Sequence, residues 1–451
     1  MGNLLLTLQS VANTMRVFER AFEVVQNNVA NASTPGYAKQ VLGLKALPFE
    51  LGSGLVGGVA AGDLISYRSG YAEQAVRQQQ QSLGRYSQRV SDLEKIETVF
   101  PVVEGSGIPA ALSSFFQAAS ALTVTPNDAS ARQTVIDRAA DLARSFNTTA
   151  SSLVAADVAA RQQAGDVVSH INSLAGTIRD INAQIRQNHD LVNDSGLDTQ
   201  RQTALEDLSE LASFTTLQQS DGTTTVLLGG QTPLVLGDQV HSISLDSTGA
   251  APRILSESNR DITSTITQGK LWSVLDLIIR QIPSYRGDLD QLAAALVNNI
   301  NTTLDGGWDA SGNPPAQELF DPDGATAATM TANALDTSEL AVALPNQPGG
   351  NGNALNLANL ASAGIVSGNS ASQAYGALAG RVGYDLAEAR SNQSVQEQLV
   401  AQARSFRGQI SDVSLDEEAA RLMEFQRSYQ AAAKLFSVLD DLTNTVINLI
   451  R

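Results

Sequence analysis

The 451-residue chain has no cysteine, only three histidines and two tryptophans, and few charges for its length. Without cysteine there can be no disulfide, no thiol nucleophile and no thiolate-bound metal. His170, His189 and His241 leave little material for zinc or Ser–His chemistry. Aromatic residues make up 5 %, low for a catalytic α/β enzyme of this size. Charged residues are 17 %, against about 25 % in an ordinary soluble domain. The charge there is leans acidic: 29 Lys and Arg against 46 Asp and Glu give −17. Such a surface cannot neutralise phosphates by releasing counterions, so no nucleic-acid partner is expected. Long apolar runs are missing too, and none approaches the ~20 residues of a membrane span. The opening leucines give way to Thr7, Gln9 and Ser10, so no signal-peptide core forms. Leu6 stands where myristoylation would want Ser or Thr. The chain is expected to be soluble and, if it leaves the cell, to do so without a cleaved signal.

What is present begins with two stripes. Leu4, Leu8, Val11, Met15, Phe18, Phe22, Val25 and Val29 are spaced 4, 3, 4, 3, 4, 3, 4, a period of 3.5 that marks a coiled-coil seam. This helix should stop near Asn31, because Pro35 disfavours helical geometry at Thr34 and Gly36 suits the φ > 0 position of a type II turn. A second stripe closes the chain: Leu415, Leu422, Phe425, Tyr429, Ala432, Phe436, Leu439, Val446 and Ile450, spoiled by Glu418 and Thr443. Ser414 and Glu417 form a capping box at its start, and Asp416 sits in the positive first turn. Leaving eight such residues exposed on one helix forfeits on the order of 10 kcal/mol. Each stripe is the natural partner of the other, although an ordinary helical core fits the periodicity as well.

Between the stripes, residues 41–68 are broken by glycines and read as extended or hairpin structure. Helical periodicity runs from Val76 to Phe100, then over 129–158, from Ile171 to Ile185, and around 203–212. Asp221-Gly222 between β-prone runs at 214–217 and 223–228 signals a hairpin, with another strand at 234–236. Residues 271–300 are helical again but interrupted by Pro283. Residues 305–370 are rich in Gly, Asn, Pro and Ala and read as loop. Helix resumes near Gln373. The expected fold is mainly α with a smaller β part, in which the terminal helices pair as a coiled coil and a helical-bundle middle domain carries an inserted β domain. At about 150 residues per domain, three domains would be ordinary. The boundaries expected are 1–40 plus 414–451 for the terminal coiled-coil inner domain and 41–213 plus 266–305 and 371–413 for the helical rod domain. Residues 214–265 would be the inserted β region, and 306–370 a loop-rich or second inserted segment.

Residues 28–40 carry Asn28, Asn31, Thr34, Pro35, Gly36, Tyr37 and Gln40, and the whole run resembles the N-terminal signature of bacterial flagellar axial proteins: rod, hook and hook-associated proteins. The run Leu415-Asp416-Glu417-Glu418-Ala419-Ala420, with Phe425-Gln426 and Tyr429-Gln430 beyond it, resembles the closing helix of the hook-associated branch at the hook–filament junction. Interior stretches around Leu93–Phe100, Pro126–Gln133, Leu197–Arg201 and Gly306–Phe320 agree, so the resemblance covers most of the chain. Lys39 stands where arginine is frequent. The stretches 236–269 and 335–370 look short, which implies a reduced or missing outer β domain.

The resemblance implies a structural adaptor joining hook to filament, extracellular, and exported unfolded by the flagellar type III route. It implies assembly into a ring or helical homo-oligomer through the two stripes as subunit-packing residues. The β region would lie outermost. Further partners would be the hook protein, the adjoining filament-side hook-associated protein, and an export chaperone on the C-terminal helix. A hook or rod subunit is the alternative within the class; a secreted adhesin or enzyme carried on the β region is the alternative outside it.

No catalytic constellation stands against this, and no cofactor or metal is expected. Gly52-x-Gly54-x-x-Gly57 matches a dinucleotide fingerprint in letters only, since no strand precedes it and Pro48 lies just upstream. Asp321-x-Asp323-Gly324 hints at a calcium loop, but the glycine is misplaced and Ala332 stands where the bidentate glutamate belongs. His170 and His189 would lie about 28 Å apart along one helix, too far to share an ion. The acidic run 416–418 fits dipole complementation better than acid–base chemistry.

Overall fold

The computed structural model describes residues 2–50, 55–102, 105–323 and 325–449. It is mainly α with small antiparallel sheets. The elements in chain order are α1 (Gly2–Ala30), β1 (Gln40–Ala46), β2 (Phe49–Glu50), β3 (Leu55–Val56), β4 (Val59–Ser66), α2 (Gly70–Glu97), α3 (Gly107–Leu122), α4 (Ala129–Gln187) and α5 (Ser195–Leu211). There follow β5 (Phe214–Gln218), β6 (Thr224–Leu228), β7 (Thr232–Leu236), β8 (Gln239–Val240), β9 (Ser244–Asp246) and β10 (Arg253–Leu255), then α6 (Gly269–Asp276), α7 (Ile282–Asp305), α8 (Gly352–Asn359), α9 (Ala371–Ser411) and α10 (Leu415–Leu449).

Two compact units share these elements. The first comprises residues 1–83, 170–242 and 396–451. In it β1 and β4 form a hairpin, with Gln40 opposite Ser66 and Ala46 opposite Val59, and with a bulge where Gly43 lies against Asp63. The hairpin lies on α1 and encloses Val17, Ala21 and Leu42, with Val24, Val59, Ala61 and Phe425 packed around them. Strands β5 to β8 form a meander in sequential order. Its tight turn has Gly222 at φ +83, as Asp221-Gly222 foretells. This sheet does not stand free: Asn182 of α4 donates to Thr224 O (2.9 Å) and accepts from its N–H (2.9 Å), and β6 is buried along most of its length.

The second unit comprises residues 84–169 and 243–395. The rings of Phe115, Phe116 and Phe320 meet in its core. Among the described residues the loop-rich stretch after α7 holds one short helix, α8, yet buried polar side chains tie it down. Asn301 donates to Phe320 O (2.7 Å) and accepts from its N–H (3.0 Å). Arg132, 4 % exposed, donates to the carbonyls of Pro126, Thr337 and Leu340. Each pairing satisfies a loop backbone group that burial would otherwise leave without water.

Two helical expectations are corrected. The separate helices read over 129–158 and 171–185 are one helix, α4. Its internal Gly165 and Gly176 cost about 1 kcal/mol each, less than the burial of Val167, Val168, Ile171, Ala175 and Ile178 returns. The interruption at Pro283 is a π-helical turn over Leu277–Gln281 between α6 and α7. Proline has no N–H to donate one turn back, so the widened turn absorbs the missing bond. The β-prone stretch also divides, since β9 pairs with β10 and lies in the other unit from β5–β8.

Candidate assembly interface

Helices α1 and α10 pack antiparallel. The Tyr429 hydroxyl donates to Glu19 Oε1 (3.2 Å), while nearer the end of α1 Asn28 Nδ2 donates to Glu418 Oε2 (3.0 Å). The Glu19 carboxylate holds the Tyr429 phenol above its usual range. Between these points Phe425 lies 6.3 Å from Phe18 and, edge-on, 6.5 Å from Phe22, and Tyr429 lies edge-on 6.2 Å from Phe22, centroid to centroid. Edge-to-face pairs contribute about 0.5–1.5 kcal/mol beyond their buried area.

The α1 stripe is covered unevenly. Val11 and Val25 are buried, Leu4, Leu8, Met15, Phe18 and Phe22 are half-buried, and Val29 is exposed. On α10, Phe425, Tyr429, Phe436, Leu439 and Val446 are half-buried. Leu415 and Leu422, expected on the same seam, are left 56 % and 42 % exposed. Ile450 lies outside the described residues. Of the two residues that spoil the stripe, Thr443 turns its hydroxyl back to Leu439 O (2.6 Å). Glu418 is fully buried. A further apolar row runs along α10, with Leu435, Val438 and Leu442 each 48–49 % exposed.

The signature residues form the joint at the base of the helix pair. Pro35 and Gly36 make the foretold turn, with Gly36 at φ +75 and the Tyr37 N–H donating to Thr34 O (3.2 Å). Asn31 bonds back to Asn27 Oδ1 (2.9 Å), and Thr34 donates to Asn31 Oδ1 (3.2 Å). Asn28, also fully buried, uses its whole amide. Its Oδ1 accepts from the Tyr37 hydroxyl (2.8 Å) and the Gln40 N–H (3.0 Å), and its Nδ2 donates to Gln40 O (2.8 Å) and Glu418. Gln40 Nε2 continues to Asn193 O (3.1 Å), and Asn27 Nδ2 to Ser195 Oγ (3.1 Å). Burial, helped by the Glu418 charge, holds the Tyr37 phenol above its usual value despite the lowering effect of the Ser195 hydroxyl beside it. On the outside, Lys39 N–H bonds Ser411 O (2.8 Å) and its ammonium pairs with Glu417 (3.1 Å).

Beneath the joint lies an ion network that periodicity could not reveal. Arg68 donates to Glu73 (2.6 Å), Asp198 (2.6 Å) and Gly36 O (2.7 Å). Arg407 joins Glu73 (3.3 Å) to Glu206 (2.9 Å), and Arg404 closes on Glu206 (2.5 Å). Burial pulls the Arg407 guanidinium down, but its bonds to Glu206 and the charge of Glu73 hold it above its usual value. Burial likewise pushes Glu206 up, and its two arginine partners more than reverse this.

The weaker motifs are ordinary turns where they are described. Gly52, Gly54 and Gly324 lie outside the described residues; Gly57 and Gly58 have φ +69 and +121 beside β4. Asp321 Oδ1 accepts from the Asp323 N–H (3.0 Å) in a local turn. His170 and His189 are exposed. Among the described residues no three His, Asp or Glu side chains converge as a metal site, and no helix is long and apolar enough to cross a membrane.

Comparison with known proteins gives this geometry a setting. A family profile described as "Flagellar hook-associated protein FlgK helical domain" matches residues 93–320, and one described as "Flagellar basal body rod FlgEFG protein C-terminal" matches 409–449. The chain is 26 % identical to flagellar hook-associated protein 1 of Bacillus subtilis, over 98 % of this chain and 97 % of that protein. It is 26 % identical to the protein of that name from Salmonella typhimurium, over 65 % of this chain and 56 % of that one, and 23 % identical to the Escherichia coli protein, over 68 % and 58 %. The solved flagellar hook junction protein FlgK from Burkholderia pseudomallei superposes with a TM-score of 0.67, at 14 % identity, over 76 % of this chain and all of that one.

Proposed function

The chain belongs to the FlgK family of flagellar hook-associated proteins, and we propose that it works there as a structural adaptor between hook and filament, through its paired terminal helices. The observation that carries this is the α1–α10 pair, covered in part and left with an apolar row along α10. An apolar row on a long helix is stable only when something covers it. Neighbouring copies of the same chain would supply that cover, with Leu415, Leu422, Leu435, Val438 and Leu442 at the contact. Residues 1–40 and 414–451 would then build the inner layer, and the remaining helices and sheets the layers around it.

The hook protein on one side and the adjoining hook-associated protein on the other are the proposed partners, and an export chaperone on α10 the partner before export. The role is mechanical rather than enzymatic, since the buried carboxylates of the joint are occupied by amide and guanidinium partners. A hook or rod subunit is less favoured, because the helical-domain family match covers residues 93–320.

Electron microscopy of a deletion strain, with an immunoblot of its medium for flagellin, tests the reading. Hooks without filaments and flagellin lost to the medium, both reversed by restoring this chain, are the expected result. Absence of hooks moves the role to rod or hook; normal filaments refute a junction role.

A further inference from the structure

Glu418 occupies a seam position of α10. Counting in sevens from it gives Phe425, Ala432, Leu439 and Val446, all half-buried. An apolar side chain in that position would bury area without cost, whereas a buried carboxylate loses its hydration. Glu418 is nonetheless fully buried, and so is Asn28, which donates to it at 3.0 Å. Its second oxygen accepts from Arg421 at 3.3 Å.

We propose that the Asn28–Glu418 contact sets the register in which the two terminal helices pair. The inference rests on the seam described above but concerns pairing within one chain. Sliding α10 by one heptad moves it about 10 Å. In one direction Glu418 is carried among Phe18 and Phe22, where no amide answers it. In the other, Phe425 arrives against the Asn28 amide and leaves it without an acceptor. Either slip strands a buried polar group, so the polar contact discriminates registers that the apolar stripe alone treats as near-equivalent. Three residues, 412–414, join α9 to α10 and extended reach about 10 Å, so a one-heptad slip away from α9 also draws residues out of its last turn, and the polar contact adds to that restraint. Glu418 and Asn28 act here as positioning residues for the seam.

Absence of cysteine makes the test clean, because the introduced pair are the only thiols in the chain. In purified full-length chain, Glu19→Cys with Tyr429→Cys reports the native register. Glu19→Cys with Leu422→Cys, or with Phe436→Cys, reports a slip of one heptad in either direction. With a short bismaleimide, the native adduct should exceed the slipped ones about tenfold in the parent and in Glu418→Gln, which keeps an acceptor for Asn28. In Glu418→Leu the slipped adducts should rise about fivefold while helicity is retained. A Glu418→Leu chain that still yields the native adduct alone overturns the proposal. So does one that loses helicity and all adducts, since Glu418 would then be needed for folding rather than register. Because the readout is intramolecular, it stands or falls apart from the junction role, which the deletion strain tests.

Discussion

Asn28 pairs with Gln40 as one strand pairs with another: its side-chain amide accepts the Gln40 N–H (3.0 Å) and donates to the Gln40 carbonyl (2.8 Å). The same exchange recurs between Asn182 and Thr224 and between Asn301 and Phe320. In each case a buried asparagine on a helix docks an extended segment whose backbone has lost its water. Only asparagine and glutamine end in a planar primary amide, which offers a donor and an acceptor side by side as the backbone does.

Asn28→Ala should therefore destabilise the first unit by about 3 kcal/mol, since it leaves Gln40, Tyr37 and Glu418 unsatisfied together. Asn28→Asp should not rescue it, because the donor is lost and a second carboxylate faces Glu418. Urea unfolding followed by far-UV circular dichroism measures both. A loss under ~0.5 kcal/mol for alanine, the range of an ordinary surface change, would show that the joint contributes nothing.

Asp92 should give the chain a pH-dependent stability. It is 4 % exposed, and burial pushes its carboxyl up from 3.8 to about 6, only partly offset by the Gln88 amide and the Lys95 charge. A folded value above the unfolded one means that the protonated form is preferred in the fold. The contribution is thus complete below about pH 4 and lost as pH rises through about 6. Asp92→Asn should remove that dependence and stabilise the chain at pH 7.5 by about 2 kcal/mol. Denaturation midpoints of the two proteins at pH 5 and pH 7.5 decide it, and parallel shifts in both would exclude Asp92 as the source.

Arg68→Lys should behave almost as badly as Arg68→Ala. The guanidinium meets Glu73, Asp198 and Gly36 O in three directions, which one ammonium on a flexible stem cannot reproduce. Loss of about 3 kcal/mol is expected for alanine, because two mostly buried carboxylates lose a partner. Lysine restoring more than half of that stability would contradict the account.

Hydrogen exchange on the monomer should divide α1 in two. Its hairpin-covered part, where Ser10 bonds Gly57 O and Val17, Ala21 and Asn28 are buried, should be protected. The first turns of α1 and the last turns of α10, with little cover, should exchange quickly until the chain assembles. Uniform protection, or none, along α1 would refute this division.

Leu422→Glu and Phe425→Ala should separate assembly from folding. Leu422 is 42 % exposed in the single chain, so its glutamate variant should fold normally and fail to form filaments. Phe425 touches both Phe18 and Phe22, so alanine there should cost the monomer about 3 kcal/mol. Phe436→Glu, half-buried on the same seam, should do both kinds of damage. Melting curves and filament counts in the complemented deletion strain report the two effects; filaments in the Leu422→Glu strain would remove Leu422 from the contact.

The terminal helices were legible because 3.5-residue periodicity is written directly in residue order, and Pro35-Gly36 and Asp221-Gly222 announce their turns through φ alone. The continuity of α4 was less legible, because a pair of glycines tells nothing of the burial that outweighs them. Val17 and Ala21 lie off the seam, and only the fold shows that the β1–β4 hairpin covers this second face of α1.

Glu418 marks the division most clearly. By itself the sequence determined that an acidic residue interrupts an apolar stripe, since heptad spacing is a property of order along the chain. That this carboxylate is buried and answered by Asn28, 390 positions away, only the tertiary structure decided. Periodicity reports which residues share a face, whereas a hydrogen bond depends on which atom of another element comes within 3 Å or so of it.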